Sequence, residues 1–308
     1  MDISKAFAVY LRTTGRAPAT QQAYVADVRQ FTTWFEQDTH ASFAPHRVTT
    51  GDIRRYIAYL EAKRSALPSS LKRRLAALSV FFDWTTQQGW RPDNPVRGVR
   101  LVRVQPLAPR WLSKAEQRAL RRSVENDIQL ARWRYPQRYV TRQRDAAIVL
   151  LMLHTGLRVG ELTHLRMDDL TLNPRNGWLR VHMGKGNKFR VVPLNPPARE
   201  ALQAWLAVRP AQADGYLFTT VEHPSDNPLS SRSVQRIVKR LGRVAGLPHL
   251  TPHMLRHTFA KNLVDAGVSL EKIATLLGHS NLNTTRIYIT PSQEDLQRAV
   301  EHLVGAST

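Results

Sequence analysis

Residues 91–111 of this 308-residue chain hold Pro92, Pro95, Pro106 and Pro109, interleaved with Arg91, Arg97, Arg100, Arg103 and Arg110. Proline fixes φ and lacks an amide N–H, so neither a helix nor a central strand continues through such a stretch. The stretch therefore reads as a linker between two bodies, and the chain's length suffices for two ordinary domains. We set the first at residues 1–98, a basic, proline-rich linker at 99–111, and the second at 112–308. Basic side chains on a stiff strap of this kind can cross the groove of a polyanion.

The first body reads as helices. Tyr24, Val25, Val28, Phe31 and Trp34 recur at helical spacing behind Thr20, taken as an N-cap. Thr50 is taken to cap a helix carrying Ile53, Ile57 and Leu60. A third helix, from about 70 to 88, places Leu71, Leu75, Leu78 and Phe82 on one stripe. Its other face shows Lys72, Arg73 and Arg74, either a solvated face or a row lying along phosphates. In the second body, Ser113-x-x-Glu116 forms a capping box, and Ala146–Leu153 is an apolar run suited to a buried helix. Trp178–His182 and Phe189–Leu194 alternate like strands, joined by the glycine-bearing turn 184–187. Helices are expected near 196–208, 231–244, 251–266 and 269–277, with a last amphipathic one carrying Leu296, Val300 and Leu303. The fold class is mainly α with a small antiparallel sheet.

Charge narrows the partners. The chain has 45 basic and 24 acidic residues, a net charge of +21. Residues 1–110 carry 17 basic and 8 acidic residues and residues 111–308 carry 28 and 16, so both bodies are positive. Such an excess attracts a polyanion through its field and through counterion release. The absence of cysteine excludes disulfides, thiolate metal sites and cysteine nucleophiles. The N-terminus shows no secretory pattern, and the apolar run Ala146–Leu153 is too short to span a bilayer. A cytoplasmic chain without membrane contact is expected.

Chemistry gathers in five patches of the second body. Thr251-Pro252 starts a helix with a capping hydroxyl and a proline where no amide is missed. His253 then falls in the first turn and Arg256 three residues on, beside free amides, a setting for an anion. His257 lies one turn from His253. That spacing suits zinc, but no glutamate follows His253 and no acidic third ligand is near, so His257 is read as a structural hydrogen-bonding residue. Arg158 follows the helix stop Thr155-Gly156-Leu157, with Glu161 three residues later to orient it; a guanidinium can grip two phosphate oxygens at once. Lys185 sits at the hairpin tip, able to protonate a leaving hydroxyl. His279 occupies a junction between Gly278, which ends one helix, and Ser280, which can cap the next. Tyr288 follows nine residues later. Attack on a phosphodiester puts negative charge on non-bridging oxygens, which two arginines and a histidine can stabilise. A phenol can attack, and a covalent phosphotyrosine would conserve the bond energy for rejoining.

These patches, TGLRVGEL, GKGNKFR, HMLRH, LLGHS and TRIYI, resemble those of the tyrosine site-specific recombinases, the phage integrase family that includes the Xer enzymes. The resemblance extends over essentially the whole chain, the N-terminal helices and Asn94-Pro95 included. It implies a C-shaped clamp of a helical, SAM-like core-binding domain and a catalytic domain. It implies Tyr288 as nucleophile; Arg158, Arg256 and His279 on the phosphate; Lys185 as general acid; His253 in proton transfer; Glu161 in support; and no cofactor or metal. It implies double-stranded DNA with an inverted-repeat core site as partner. A homotetramer would act on synapsed sites, alone or with a second recombinase, and pass through a Holliday junction. Lys72, Arg73, Arg74, Arg100, Arg103, Lys188 and Arg190 are the candidate DNA contacts. The helix at Leu296–Leu303 would dock on a neighbouring protomer or pack on its own domain. Type IB topoisomerase-like relaxation, or a catalytically silent DNA-binding protein on the same scaffold, are the alternatives. Residues 124–144 are longer and more basic than is usual in Xer chains, and would contact DNA, contact a partner or form a mobile loop.

Overall fold

A computed structural model describes residues 3–64, 68–99, 109–182, 189–210, 215–221, 227–279 and 283–287. Contacts divide the chain between Pro106 and Leu107, inside the stretch read as the linker. In the first unit, α1 (Ile3–Thr13), α2 (Pro18–Thr39), α3 (Thr50–Arg64) and α4 (Pro68–Gln87) enclose an aromatic core. Phe31 meets Tyr56 edge-on with ring centroids 5.1 Å apart, and Phe7 meets Phe81 in the same way at 5.2 Å.

Two caps differ from the sequence reading. α2 begins at Pro18, so Thr20 lies inside its first turn; the proline's preset φ starts the helix, and Ala17 before it makes no side-chain cap. α3 is capped by Thr49 instead of Thr50. The Asp52 carboxylate accepts from the Thr49 amide at 2.8 Å, and the Asp52 amide donates to the Thr49 hydroxyl at 3.2 Å. Asn94-Pro95 closes the unit: the buried Asn94 amide donates to Asp83 Oδ1 at 2.9 Å and to Ser79 O at 3.0 Å. Arg91 is buried too, donating to Pro45 O and lying over the Phe82 ring, so it is structural and does not belong to the strap.

The second unit is built around α6 (Tyr139–Thr155). It is preceded by α5 (Lys114–Arg134), whose Ser113–Glu116 capping box forms as expected. Ala146–Leu153 is buried except for the partly covered Leu150, because α6 is packed by α5 and by later helices. α7 (Val159–Thr163) leads to a three-stranded antiparallel sheet in the order β1 (Leu170–Leu172), β2 (Gly177–His182), β3 (Phe189–Pro193). The short β1 lacks a run of alternation and was not expected. Leu179 pairs with Val192 and Val181 with Arg190, all four on the buried face. α8 (Pro196–Leu206), α9 (Ser231–Val244), α10 (Pro252–Asp265), α11 (Leu270–Leu277) and α12 (Asn283–Arg286) follow. Residues 124–144 form the end of α5, a tight turn at 136–138 and the start of α6. The mobile-loop reading is thereby replaced by a continuous helical hairpin. Among the described residues no helix is long and apolar enough to cross a membrane.

Candidate active site

The centre of the site is a carboxylate, although its most prominent groups are cationic. Arg158 occupies the N-cap of α7, and the Glu161 carboxylate accepts from the Arg158 amide at 2.8 Å. The same carboxylate accepts from Arg158 Nη1 at 2.7 Å and, in a fork, from Arg190 Nη1 at 2.9 Å and Nη2 at 2.8 Å. Arg256 Nη1 stands 4.0 Å away. Burial alone would raise the Glu161 carboxyl, but the hydrogen bonds from Arg190 and Arg158 outweigh it and hold the group below the ordinary carboxylate range. One buried anion thus orients adjacent guanidinium groups that would otherwise repel each other.

Arg256 is fixed by backbone. It donates to Gly156 O at 2.6 Å and to Leu277 O at 2.8 Å, while Arg158 Nη2 reaches Gly278 O at 3.2 Å. Two glycine turns make these carbonyls available. Gly156 ends α6 at φ +65, where a Cβ would stand 2.5 Å from the Phe259 ring and 2.9 Å from Leu277; Gly278 ends α11 at φ +66. Arg158 keeps 42% of its side chain exposed, whereas Arg256 is 5% exposed. The first can reach outward to a ligand, and the second forms the floor.

His279 completes the cluster. Its Nε2 lies 2.9 Å from Arg256 Nη2 and its Nδ1 lies 2.8 Å from Thr285 Oγ1. A guanidinium only donates, so Nε2 accepts and the ring proton sits on Nδ1. Burial, followed by Arg256, Arg158 and Arg190, lowers the imidazole to about 4, so the ring is neutral at pH 7. His154, at the end of α6, is also lowered to about 4, by burial and by Arg121. The unfolded chain, with ordinary histidines near 6.5, binds more protons than the fold between those values. This contribution to stability is complete above about pH 6.5 and is lost as pH falls toward about 4. Thermal melts should therefore show Tm falling from pH 7 to pH 5, and His154→Gln should flatten that slope.

The structure brings Arg158, Glu161, Arg256 and His279 together and adds Arg190. His253 is exposed in the first turn of α10, and its ring lies 6.5 Å from that of the half-buried His257. Lys185, Lys188, Tyr288, Arg100, Arg103 and the helix at Leu296–Leu303 lie outside the described residues.

Arg190 requires a correction. It was read as a DNA contact on the hairpin, but it is 6% exposed, with its guanidinium on Glu161 and its Nε on Leu276 O at 2.8 Å. The strand period explains this: Phe189 and Val191 face outward, so Arg190 faces in. The basic run of α4 divides in a similar way. Lys72 is exposed, Arg73 pairs with the buried Asp27, and Arg74 keeps only 15% of its side chain exposed against α2, which argues against its lying on phosphates. The helix expected at 231–244 forms as α9, but its basic face was not among the candidate DNA contacts. This helix buries Val234, Ile237, Val238 and Leu241 and exposes Arg232, Gln235, Arg236, Lys239 and Arg243. Its strict amphipathic period was the available signal.

The comparisons place this geometry in a family. Residues 134–295 match the phage integrase family, and residues 3–91 match the phage integrase N-terminal SAM-like domain. The chain belongs to the phage integrase family of tyrosine recombinases, enzymes that cleave and rejoin DNA. It is 33% identical to a tyrosine recombinase of Pseudothermotoga lettingae, over 92% of each chain. It is 30% identical to the tyrosine recombinase XerA of Pyrococcus furiosus, over 97% of this chain and 93% of that one. In fold it is similar to the XerH site-specific recombinase bound to difH substrate, with TM-score 0.69 and 23% identity over 91% of this chain and 78% of that one.

Proposed function

We propose that this chain is a site-specific DNA recombinase that works through a covalent 3′-phosphotyrosyl intermediate. The observation that carries this reading is the convergence of Arg158, Arg256 and His279 around the Glu161 anchor. The phenolic oxygen of Tyr288 attacks the scissile phosphorus, and the bond from phosphorus to the 5′ oxygen breaks. Lys185 gives that oxygen its proton, and His253 takes the proton of the phenol. Arg158, from its exposed position, and Arg256, from the floor, meet the charge that builds on the non-bridging oxygens. A bound phosphate adds negative charge beside His279 and so opposes the burial and the cations that keep the ring neutral; with a proton taken from solvent, the ring donates to the same oxygens. Rejoining reverses the step with the 5′ hydroxyl of the partner strand, and needs no ATP because the phosphotyrosyl bond holds the energy. Four copies on two inverted-repeat sites exchange strands through a Holliday junction, with Lys72 and the exposed face of α9 against the duplex. The SAM-like and integrase matches, together with relatives named as Xer recombinases, support this arrangement.

The test is a duplex nicked beside the cleavage point, from which the short leaving strand diffuses away. Wild type should accumulate a denaturant-resistant protein–DNA band, and Tyr288→Phe should give none. Equal bands from both would remove Tyr288 as nucleophile; no band from wild type on a mapped site would remove the reading.

A further inference from the structure

The hairpin between α5 and α6 has no part in the chemistry above, yet its composition is unusual. From Leu130 to Arg144 the chain has five arginines and no acidic residue. Arg142 and Arg144 are committed inward, Arg142 beside Asp127 and Arg144 on Asp145 and Thr219 O. Arg132, Arg134 and Arg138 are exposed, and no described carboxylate pairs with any of them. Arg134 and Arg138 flank the Tyr135 ring, with guanidinium carbons 5.8 and 5.6 Å from its centroid. Beside them Trp133 is 86% exposed. A solvated helix face balances its charges and hides its largest ring, whereas this one does neither.

Its position suggests what covers it. α6 joins the hairpin to the phosphate pocket, since it starts at Tyr139 and ends at Thr155 beside Gly156 and Arg158. Its 17 residues set the two about 25 Å apart, or about seven base pairs of duplex. α9, which carries exposed cations, packs against α5, α6 and α7, the last of which carries Glu161. Ser233 and Arg236 share a cavity of about 350 Å³ with Thr141 and Arg144 near the start of α6. α9, with its exposed cations, therefore packs alongside α6 between the hairpin and the element that carries Glu161.

We infer that the Arg132–Arg138 hairpin is a second DNA contact, gripping the duplex backbone beyond the cleavage point with Arg132, Arg134 and Arg138, while Tyr135 and Trp133 lie against the sugars. The inference rests on the reading of the chain as a DNA recombinase, and sequence-independent binding tests it separately from cleavage. Each phosphate contact contributes about 0.9 to the slope of log K against log salt. The variant Arg132→Gln/Arg134→Gln/Arg138→Gln should lower the magnitude of that slope by about 2–3 on a duplex of arbitrary sequence. Its Tm should not change, and on short nicked duplexes that end at the α9 contact it should cleave like wild type. The single variant Arg134→Gln, which disturbs the surface least, should lower the slope by about one. A slope unchanged in both variants overturns the inference, and an acidic protein partner would then remain as the occupant. Absence of any duplex binding by wild type would instead defeat the recombinase reading itself.

Discussion

Arg190→Met is expected to lower the rate of covalent-complex formation by at least about a hundredfold, although Arg190 need not touch DNA. The guanidinium is 5% exposed and both of its terminal nitrogens are on Glu161. Methionine matches much of its volume but leaves the carboxylate with Arg158 as its remaining direct side-chain donor among the described residues. Breaking a buried pair by removing one partner costs about 3–5 kcal/mol. The Glu161 carboxyl should lose its depressed pKa, and Arg158 should lose its fixed orientation. Single-turnover cleavage would measure the rate, and urea unfolding the stability. Arg190→Lys should recover part of the stability through its charge and little of the rate, because an ammonium cannot fork across both carboxylate oxygens. Equal recovery of both by lysine would make Arg190 a structural residue only.

Arg256→Lys is expected to be nearly as severe, about a hundredfold to a thousandfold in cleavage rate, the range found when one preorganised donor to a developing oxyanion is removed. The substitution keeps the charge, so loss of positive potential is not the cause. Arg256 divides its planar donors among Gly156 O, Leu277 O and His279, and an ammonium at the end of a flexible stem cannot hold all of them in one plane. His279 would lose the neighbour that orients its Nε2. Duplex affinity should fall far less than the rate. A variant that loses binding and cleavage to the same degree would place Arg256 in general DNA binding instead.

Much of this organisation is legible in the sequence because it is local. The Ser113–Glu116 box, the Thr251-Pro252 helix start and the glycine stops at 156 and 278 are each set by a few adjacent residues, and each forms as their chemistry dictates. Spacing within TGLRVGEL likewise identified the Arg158–Glu161 pair. Partnerships across long separations were not legible. Glu161 meets Arg190 over 29 positions, and Arg256 meets the carbonyl of Gly156 over 100. No periodicity encodes such meetings: alternation over Phe189–Leu194 puts Arg190 on one face with Val192, but that this face is covered, and by Glu161, is set by the fold. Arg91 misled for the same reason, since its acceptors, the carbonyls of Pro45 and Val48, lie 46 and 43 positions earlier in the chain.

The Arg158–Arg256–His279 pocket is expected to neutralise the charge of the phosphate under attack. The direct measurement compares Arg158→Ala on a normal scissile phosphodiester with the same duplex carrying an uncharged methylphosphonate at that position. If the pocket serves that charge, the variant is inactive on the first and regains cleavage on the second, whose linkage starts neutral and builds up one negative charge fewer under attack. A variant equally inactive on both linkages would contradict the account, because the arginine would then be needed for something other than the charge.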